Sequence, residues 1–114
     1  MKKVSFEEIG AVAATFLAGD NAQKGQMVNI STADTVDGCS ADGRFCGLAL
    51  DVAEDGMACV QVAGFARVPC SDAGVTPGWV ALAADGKGGV KKAASGGREY
   101  LVVSTDGQTA VVLL

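Results

Sequence analysis

Apolar and polar positions alternate along most of this chain with a period of two, the pattern of strands that bury one face. The clearest stretch is Phe45 to Cys70, FCGLALDVAEDGMACVQVAGFARVPC. Cys46, Leu48, Leu50 and Val52 share one face of a first run, and Ala58, Val60, Val62, Ala66 and Val68 share one face of a second. The break Ala53-Glu54-Asp55-Gly56-Met57 between them predicts a β-hairpin. Residues directly opposite must share a face, so the pattern sets Leu50 across from Val60 and Leu48 across from Val62. Pro69 closes the second strand.

The same rules place the other elements. Trp79-Val80-Ala81-Leu82-Ala83 and Gly89-Val90-Lys91-Lys92-Ala93 flank Asp85-Gly86-Lys87-Gly88 and read as a second hairpin. Residues 99–104 and 109–114 are apolar on both faces, as in strands buried centrally or against a partner. A two-residue Asp106-Gly107 turn there would pair Val103 with Ala110 and Leu101 with Val112. Gln26 to Ile30 reads as a short strand and Thr35 to Ser40 as a weak one. Residues 71–78, with Gly74, Pro77 and Gly78, read as a surface connection.

The first twenty residues carry two patterns. Ser5-Phe6-Glu7-Glu8 fits a capping box, and Phe6, Ile9, Val12 or Ala13, and Phe16 are at helical spacing. Against a helix stand Gly10, worth about 1 kcal/mol relative to alanine, and the alternation of Val12, Ala14 and Phe16 with Ala11, Ala13 and Thr15. The strand reading is preferred, giving a loose arm over residues 1–9 and a strand over about 11–17.

Glycine follows aspartate at Asp37-Gly38, Asp42-Gly43, Asp55-Gly56, Asp85-Gly86 and Asp106-Gly107. Such pairs between apolar runs mark tight turns, because glycine takes positive φ without steric penalty. There is also an internal echo. Gly25-Gln26-Met27-Val28 parallels Gly78-Trp79-Val80-Ala81, Asp42-Gly43-Arg44-Phe45 parallels Gly96-Gly97-Arg98-Glu99, and Asp55-Gly56 parallels Asp106-Gly107. A duplicated unit would produce this, and so would chance repetition of turn punctuation in a glycine-rich β protein.

Length and charge narrow the classes. At 114 residues the chain is one domain with an ordinary core, able to bury roughly 65% of the surface it exposes unfolded. A formal net charge of −4 and scattered basic residues argue against nucleic-acid binding. Histidine is absent, which removes the commonest general base and metal ligand. Glu7 and Glu8 interrupt what could pass for a secretory signal after Met1-Lys2-Lys3, and no apolar run reaches the ~18 residues of a membrane span; a soluble protein made in the cytoplasm is expected. Cys39, Cys46, Cys59 and Cys70 are too widely spaced for a zinc knuckle and read as reduced core residues, with a disulfide as the alternative.

No catalytic motif is present: no G-x-S-x-G occurs, and neither serine nor cysteine has a histidine to activate it. Asp51, Glu54 and Asp55 near the hairpin tip read as a solvated face rather than an acid–base pair or a calcium site. Gly86-Lys87-Gly88-Gly89 lacks the full phosphate-loop pattern and reads as a turn. Trp79 is expected in the core or an interface with its indole N–H bonded to a carbonyl, and Arg44 and Arg98 as charges guarding strand edges. No cofactor or metal is expected, and no enzyme. The composite is an all-β protein, a small single-domain β-barrel of hairpins over residues 10–114 with an extended N-terminal arm over residues 1–9.

The segments KGQMVNI, ADGRFCGLALDVAEDGMACVQVAGFARVPC, TPGWVALAADGKGGVKKA and REYLVVSTDGQTAVVLL resemble the capsid cement, or head decoration, proteins of tailed bacteriophages and prophages. The resemblance covers about residues 20–114 and lies in turn and strand punctuation. It implies a β-barrel made in the bacterial cytoplasm that sits on the virion exterior, commonly as a homotrimer, binding the major capsid protein and stabilising its lattice, with neither nucleic acid nor membrane as a partner. In such families an N-terminal arm adds a strand to the capsid, so Lys2, Lys3, Val4, Ser5 and Phe6 are the candidate capsid contacts. The four cysteines are a departure from that pattern. The alternative is a small cytosolic β-barrel module that binds a protein or small molecule, and behind it a hydrolase of unrecognised type.

Overall fold

A computed structural model describes residues 9–114. The candidate contacts Lys2, Lys3, Val4, Ser5 and Phe6, and the arm they belong to except Ile9, lie outside the described residues.

The described residues form ten strands and no helix: β1 Val12–Ala18, β2 Met27–Thr32, β3 Thr35–Gly38, β4 Gly47–Val52, β5 Met57–Ala63, β6 Phe65–Pro69, β7 Gly78–Ala84, β8 Val90–Lys92, β9 Arg98–Thr105 and β10 Thr109–Leu113. The fold is all-β, as the alternation predicts. The first five strands close a barrel in the order β1-β3-β2-β4-β5, and the last five form a sheet in the order β6-β10-β9-β7-β8.

These two units are the same unit twice. Taken around the barrel from β1 through β5, the first reads β1-β5-β4-β2-β3, and moving each strand five places along the chain gives the order of the second. Register agrees as well as order. Ala13 faces Gln61, Gln61 faces Leu48 and Leu48 faces Met27; in the second unit Phe65 faces Leu113, Leu113 faces Leu101 and Leu101 faces Trp79. Each unit also carries a bulge at the same place, Leu50 in β4 and Val103 in β9. The echo in the sequence is therefore a structural duplication, with one adjustment: the ladders align Met27 with Trp79, one position away from the alignment by glycines.

The units differ in closure. In the first, β3 meets β1 in parallel through Leu17 with Thr35 and Ala18 with Val36, and the N–H groups of Leu17 and Gly19 donate to the carbonyls of Asp34 and Val36 at 2.8 Å each. In the second, β6 and β8 stay apart and the sheet remains open. The open sheet lays its inner face on the barrel wall. That contact is the larger core, where Met27 and Leu48 from the barrel meet Ala66, Val68, Leu82, Val90, Tyr100, Val102, Ala110 and Val112. A smaller core fills the barrel itself, built on Val28, Val36, Ala49, Ala58 and Val60.

Two register predictions fail for a common reason. Leu48 faces Gln61 and Ala49 faces Val60, so Leu50 is the bulged residue and turns outward, 38% exposed, instead of facing Val60. At the C-terminal hairpin Val112 faces Val102, Leu113 faces Leu101 and Ala110 faces Thr105, not Val103. A bulge places two residues against one, which a strict two-residue period cannot represent.

The second apolar run, predicted as one strand, is two. It breaks at Gly64, whose φ of +90° carries the chain from barrel to sheet. A Cβ there would come within 2.5 Å of the Gly10 and Ala11 backbone, so only glycine fits. Gln61, 2% exposed, serves the same corner: its Nε2 donates to the carbonyls of Ala63 and Phe65 at 3.0 Å each. The switch of sheets leaves these carbonyls to a side chain, and burying Gln61 satisfies them.

The remaining elements fall close to their predicted places, β1 at Val12–Ala18 and the β7–β8 hairpin included. Of the five Asp-Gly pairs, three have a glycine at positive φ, namely Gly56, Gly86 and Gly107. There the preceding aspartate accepts backbone N–H groups just ahead of it. Asp42-Gly43 reverses the roles, with Asp42 at φ 66°, and Asp37-Gly38 ends β3.

Candidate interaction surfaces

The two equivalent rows have opposite fates. In the barrel, Met27, Leu48 and Gln61 are 0%, 7% and 2% exposed: Met27 and Leu48 pack in the core shared with the open sheet, and Gln61 is buried at the corner whose carbonyls it bonds. In the sheet, the matching residues Trp79, Leu101 and Leu113 point away from the barrel. Trp79 is 66% exposed and Leu101 and Leu113 are only partly buried. Trp79 is thus not a core residue, and its indole N–H has no hydrogen-bond acceptor among the described residues; alternation of Val80 and Leu82 into the core forces it outward.

β1, Val-Ala-Ala-Thr-Phe-Leu-Ala, also exposes apolar side chains, on both of its faces. Val12 is 54% exposed and Leu17 48%, and Ala13, Ala14 and Thr15 are also exposed. Among the described residues β1 pairs with β5 along its length but with β3 only at Leu17 and Ala18, so the edge from Val12 to Phe16 is open on that side. Ile9 and Ile30, 55% and 50% exposed, add to the apolar surface of this unit.

Between the units lies a cleft of about 400 Å³, lined by Asp42, Arg44, Phe45, Leu82, Arg98 and Tyr100 among others. Its aromatic floor is the Phe45–Tyr100 stack, with ring centroids 5.1 Å apart, and the Arg98 guanidinium sits 4.8 Å from the Tyr100 ring centre. Lys91 neutralises Asp42 at the rim through a 2.6 Å ion pair. Arg44 and Arg98 form no ion pair among the described residues, so the cleft is cationic in an otherwise acidic protein. Sequence reasoning treated the two arginines as separate edge guards; only the packing of one unit on the other brings them to the same cleft.

All four cysteines are free thiols. Burial pushes Cys39 up to about 11, with the nearby Cys46 thiol and Asp85 carboxylate adding to it; burial also raises Cys46 and Cys70. Those three are neutral at physiological pH and poor nucleophiles. Asp51, Glu54 and Asp55 are exposed on the β4–β5 tip, and among the described residues no group of three or more Cys, Asp or Glu is arranged to hold a metal ion. Gly86-Lys87-Gly88-Gly89 is a turn, gathered by Asp85, whose Oδ1 accepts the N–H groups of Lys87 at 2.6 Å and Gly89 at 3.0 Å.

A scan against protein-family models and a search of the curated proteins found no match to this sequence.

Proposed function

We propose that this protein is a capsid decoration protein: a homotrimer that binds the outside of a tailed-phage head through the major capsid protein and holds the lattice together. The observation that carries the reading is the uncovered apolar row led by Trp79, 66% exposed, on a compact β protein otherwise rich in Asp-capped turns. Exposed apolar patches of this kind mark protein interfaces. Many modest contacts repeated over a lattice sum through effective concentration, so such a protein acts by fit alone. The resemblance in turn and strand punctuation supplies the identity of the lattice. The test is to mix the purified protein with expanded phage heads. Saturable, stoichiometric occupancy and raised resistance of the heads to heat are expected; failure to bind any candidate head overturns the reading.

The Arg44–Arg98 cleft favours one other reading, a module that binds a small carboxylate ligand. Guanidinium groups beside an aromatic floor suit planar anions. Titration with mono-, di- and tricarboxylates, followed by amide NMR, would move the Gly43, Phe45 and Tyr100 signals on that reading and leave them in place on the first.

A further inference from the structure

An aspartate followed by glycine can change its own backbone, because glycine has no side chain to hold its amide nitrogen off the carboxyl carbon before it. This chain has five such pairs, and the fold treats one of them differently. Asp55, Asp85 and Asp106 turn their carboxylates forward, past the glycine, onto the N–H groups of Met57 at 3.1 Å, Lys87 at 2.6 Å and Gln108 at 2.9 Å. Asp85 and Asp106 are fastened a second time, by the N–H groups of Gly89 at 3.0 Å and Thr109 at 2.7 Å. Asp42 is drawn instead to Lys91 at 2.6 Å. The N–H groups of Gly43 and Gly56 are committed as well, to the carbonyls of Ser40 and Ala53.

Asp37 turns back on its own glycine: the Gly38 N–H donates to Asp37 Oδ1 at 2.9 Å. The carboxyl carbon is one bond from that oxygen, so the Gly38 nitrogen stands close to the about 3–3.5 Å of a near-attack arrangement. The same oxygen accepts the Asn21 N–H at 2.8 Å, a donor placed to stabilise charge that grows on Oδ1 as the carbon becomes tetrahedral. Oδ2 has no hydrogen-bond or ion-pair partner among the described residues. Gly38 is exposed, so water reaches the pair.

We infer that Asp37-Gly38 is a site of spontaneous aspartate isomerisation. The Gly38 nitrogen forms a bond to Asp37 Cγ and gives its proton to solvent, while Oδ2 takes up protons from solvent and departs as water, leaving a succinimide. Water then adds to one of the two ring carbonyls. When it cleaves the bond from the Asp37 carbonyl carbon to the Gly38 nitrogen, the chain runs through Cβ and Cγ and the former backbone carbonyl becomes a free carboxylate. The product is isoaspartate, of unchanged mass, and water is the sole co-reactant. It lengthens β3 by one backbone atom and withdraws the acceptor of the Asn21 N–H, at the seam where β3 closes the barrel on β1.

The experiment ages the full-length protein in mildly acidic buffer, where the leaving oxygen can carry a proton, with one sample folded and one in denaturant. Peptide mass spectrometry with electron-transfer fragmentation measures isoaspartate at each of the five pairs, and methyl transfer by a protein isoaspartyl methyltransferase measures the total. In the folded protein Asp37 should isomerise at least about tenfold faster than Asp42, Asp55, Asp85 or Asp106, and in denaturant the five rates should converge. Asp37→Glu, shown to be folded by circular dichroism, needs a larger ring and should lose most of the methyl-accepting sites that ageing creates. Equal rates at the five pairs of the folded protein, or a faster rate at another pair, overturns the inference. So does a lead for Asp37 that persists unchanged in denaturant, since the fold would then contribute nothing, or a folded Asp37→Glu variant that gains as many methyl-accepting sites as the wild type.

Discussion

The barrel and the open sheet are built on one plan, yet one closes on itself and hides its wall while the other stays open and shows it. Met27 and Trp79 make the point, since they hold the same place in the two ladders and are 0% and 66% exposed. The difference is in what covers them. The second unit gives up its closure to cover the first, leaving its own outer row bare, and the lesson is that position within a repeat fixes the direction of a side chain but not its burial. Equivalent substitutions in the two units should therefore have unequal consequences.

The largest inequality is expected at that pair. Met27→Ala opens a cavity between the units and should destabilise the fold by about 2–5 kcal/mol. Trp79→Ala removes a side chain that is mostly in water and should change monomer stability by about 0.5 kcal/mol or less. Denaturant melts at low protein concentration, where association does not contribute, measure both; equal losses would mean that the sheet's outer row is packed after all.

The joint between the units is the next most sensitive. Gly64 combines φ +90° with backbone atoms of Gly10 and Ala11 where a Cβ would stand. Gly64→Ala should cost about 3 kcal/mol, as strain and a backbone clash together. Gly107, at the same φ on the β9–β10 tip, has nothing within 4 Å of its would-be Cβ. Gly107→Ala should cost only about 1 kcal/mol from the strained φ, and comparing the two melts separates strain from crowding.

The ten strands were largely legible because alternation and Asp-Gly punctuation are local signals. β7 and β8, joined by the Asp85 loop, needed nothing from elsewhere in the chain. The run from Met57 to Pro69 was misread because Gly64 resembles any other glycine in an apolar stretch; what makes it a corner is the backbone of Gly10 and Ala11, more than fifty residues away in sequence. Leu50 was misplaced by a bulge that breaks the period, and Trp79, expected in the core or an interface, is kept out of the core because it alternates with Val80 and Leu82, which point into it. The arginine cleft had no readable signal, since Arg44 and Arg98 converge only when the two units pack.

Gln61 and its counterpart Leu113 sharpen the comparison further. Both occupy the same row, but only Gln61 sits where the chain leaves one sheet for another and must satisfy the carbonyls of Ala63 and Phe65. Gln61→Leu, which copies the residue of the second unit, should destabilise by about 1–3 kcal/mol by stranding those carbonyls. The reverse change, Leu113→Gln, places an amide on a partly solvated face and should be nearly neutral for the monomer. Paired melts would expose the asymmetry, and a neutral Gln61→Leu would mean that water or a shift of the corner replaces the amide.

The smallest expected effect lies in the loops that close the two long hairpins. In the barrel, Asp55 accepts one N–H, from Met57 at 3.1 Å. In the sheet, Asp106 accepts the N–H groups of Gln108 at 2.9 Å and Thr109 at 2.7 Å and the Thr109 hydroxyl at 3.0 Å, with Arg67 3.8 Å away. Those bonds, the two backbone donors first, hold the Asp106 carboxyl below its ordinary value of 3.8. A depressed carboxylate pKa contributes stability that is present above 3.8 and is lost as pH falls through the lower folded value, because there the native state must take up a proton that the unfolded chain already holds. Asp106→Asn should thus flatten the acid limb of the melting temperature below about pH 4 while leaving its shape above pH 6 unchanged. An acid limb that Asp106→Asn leaves as steep as the wild type's would show that these bonds do not hold the carboxyl down.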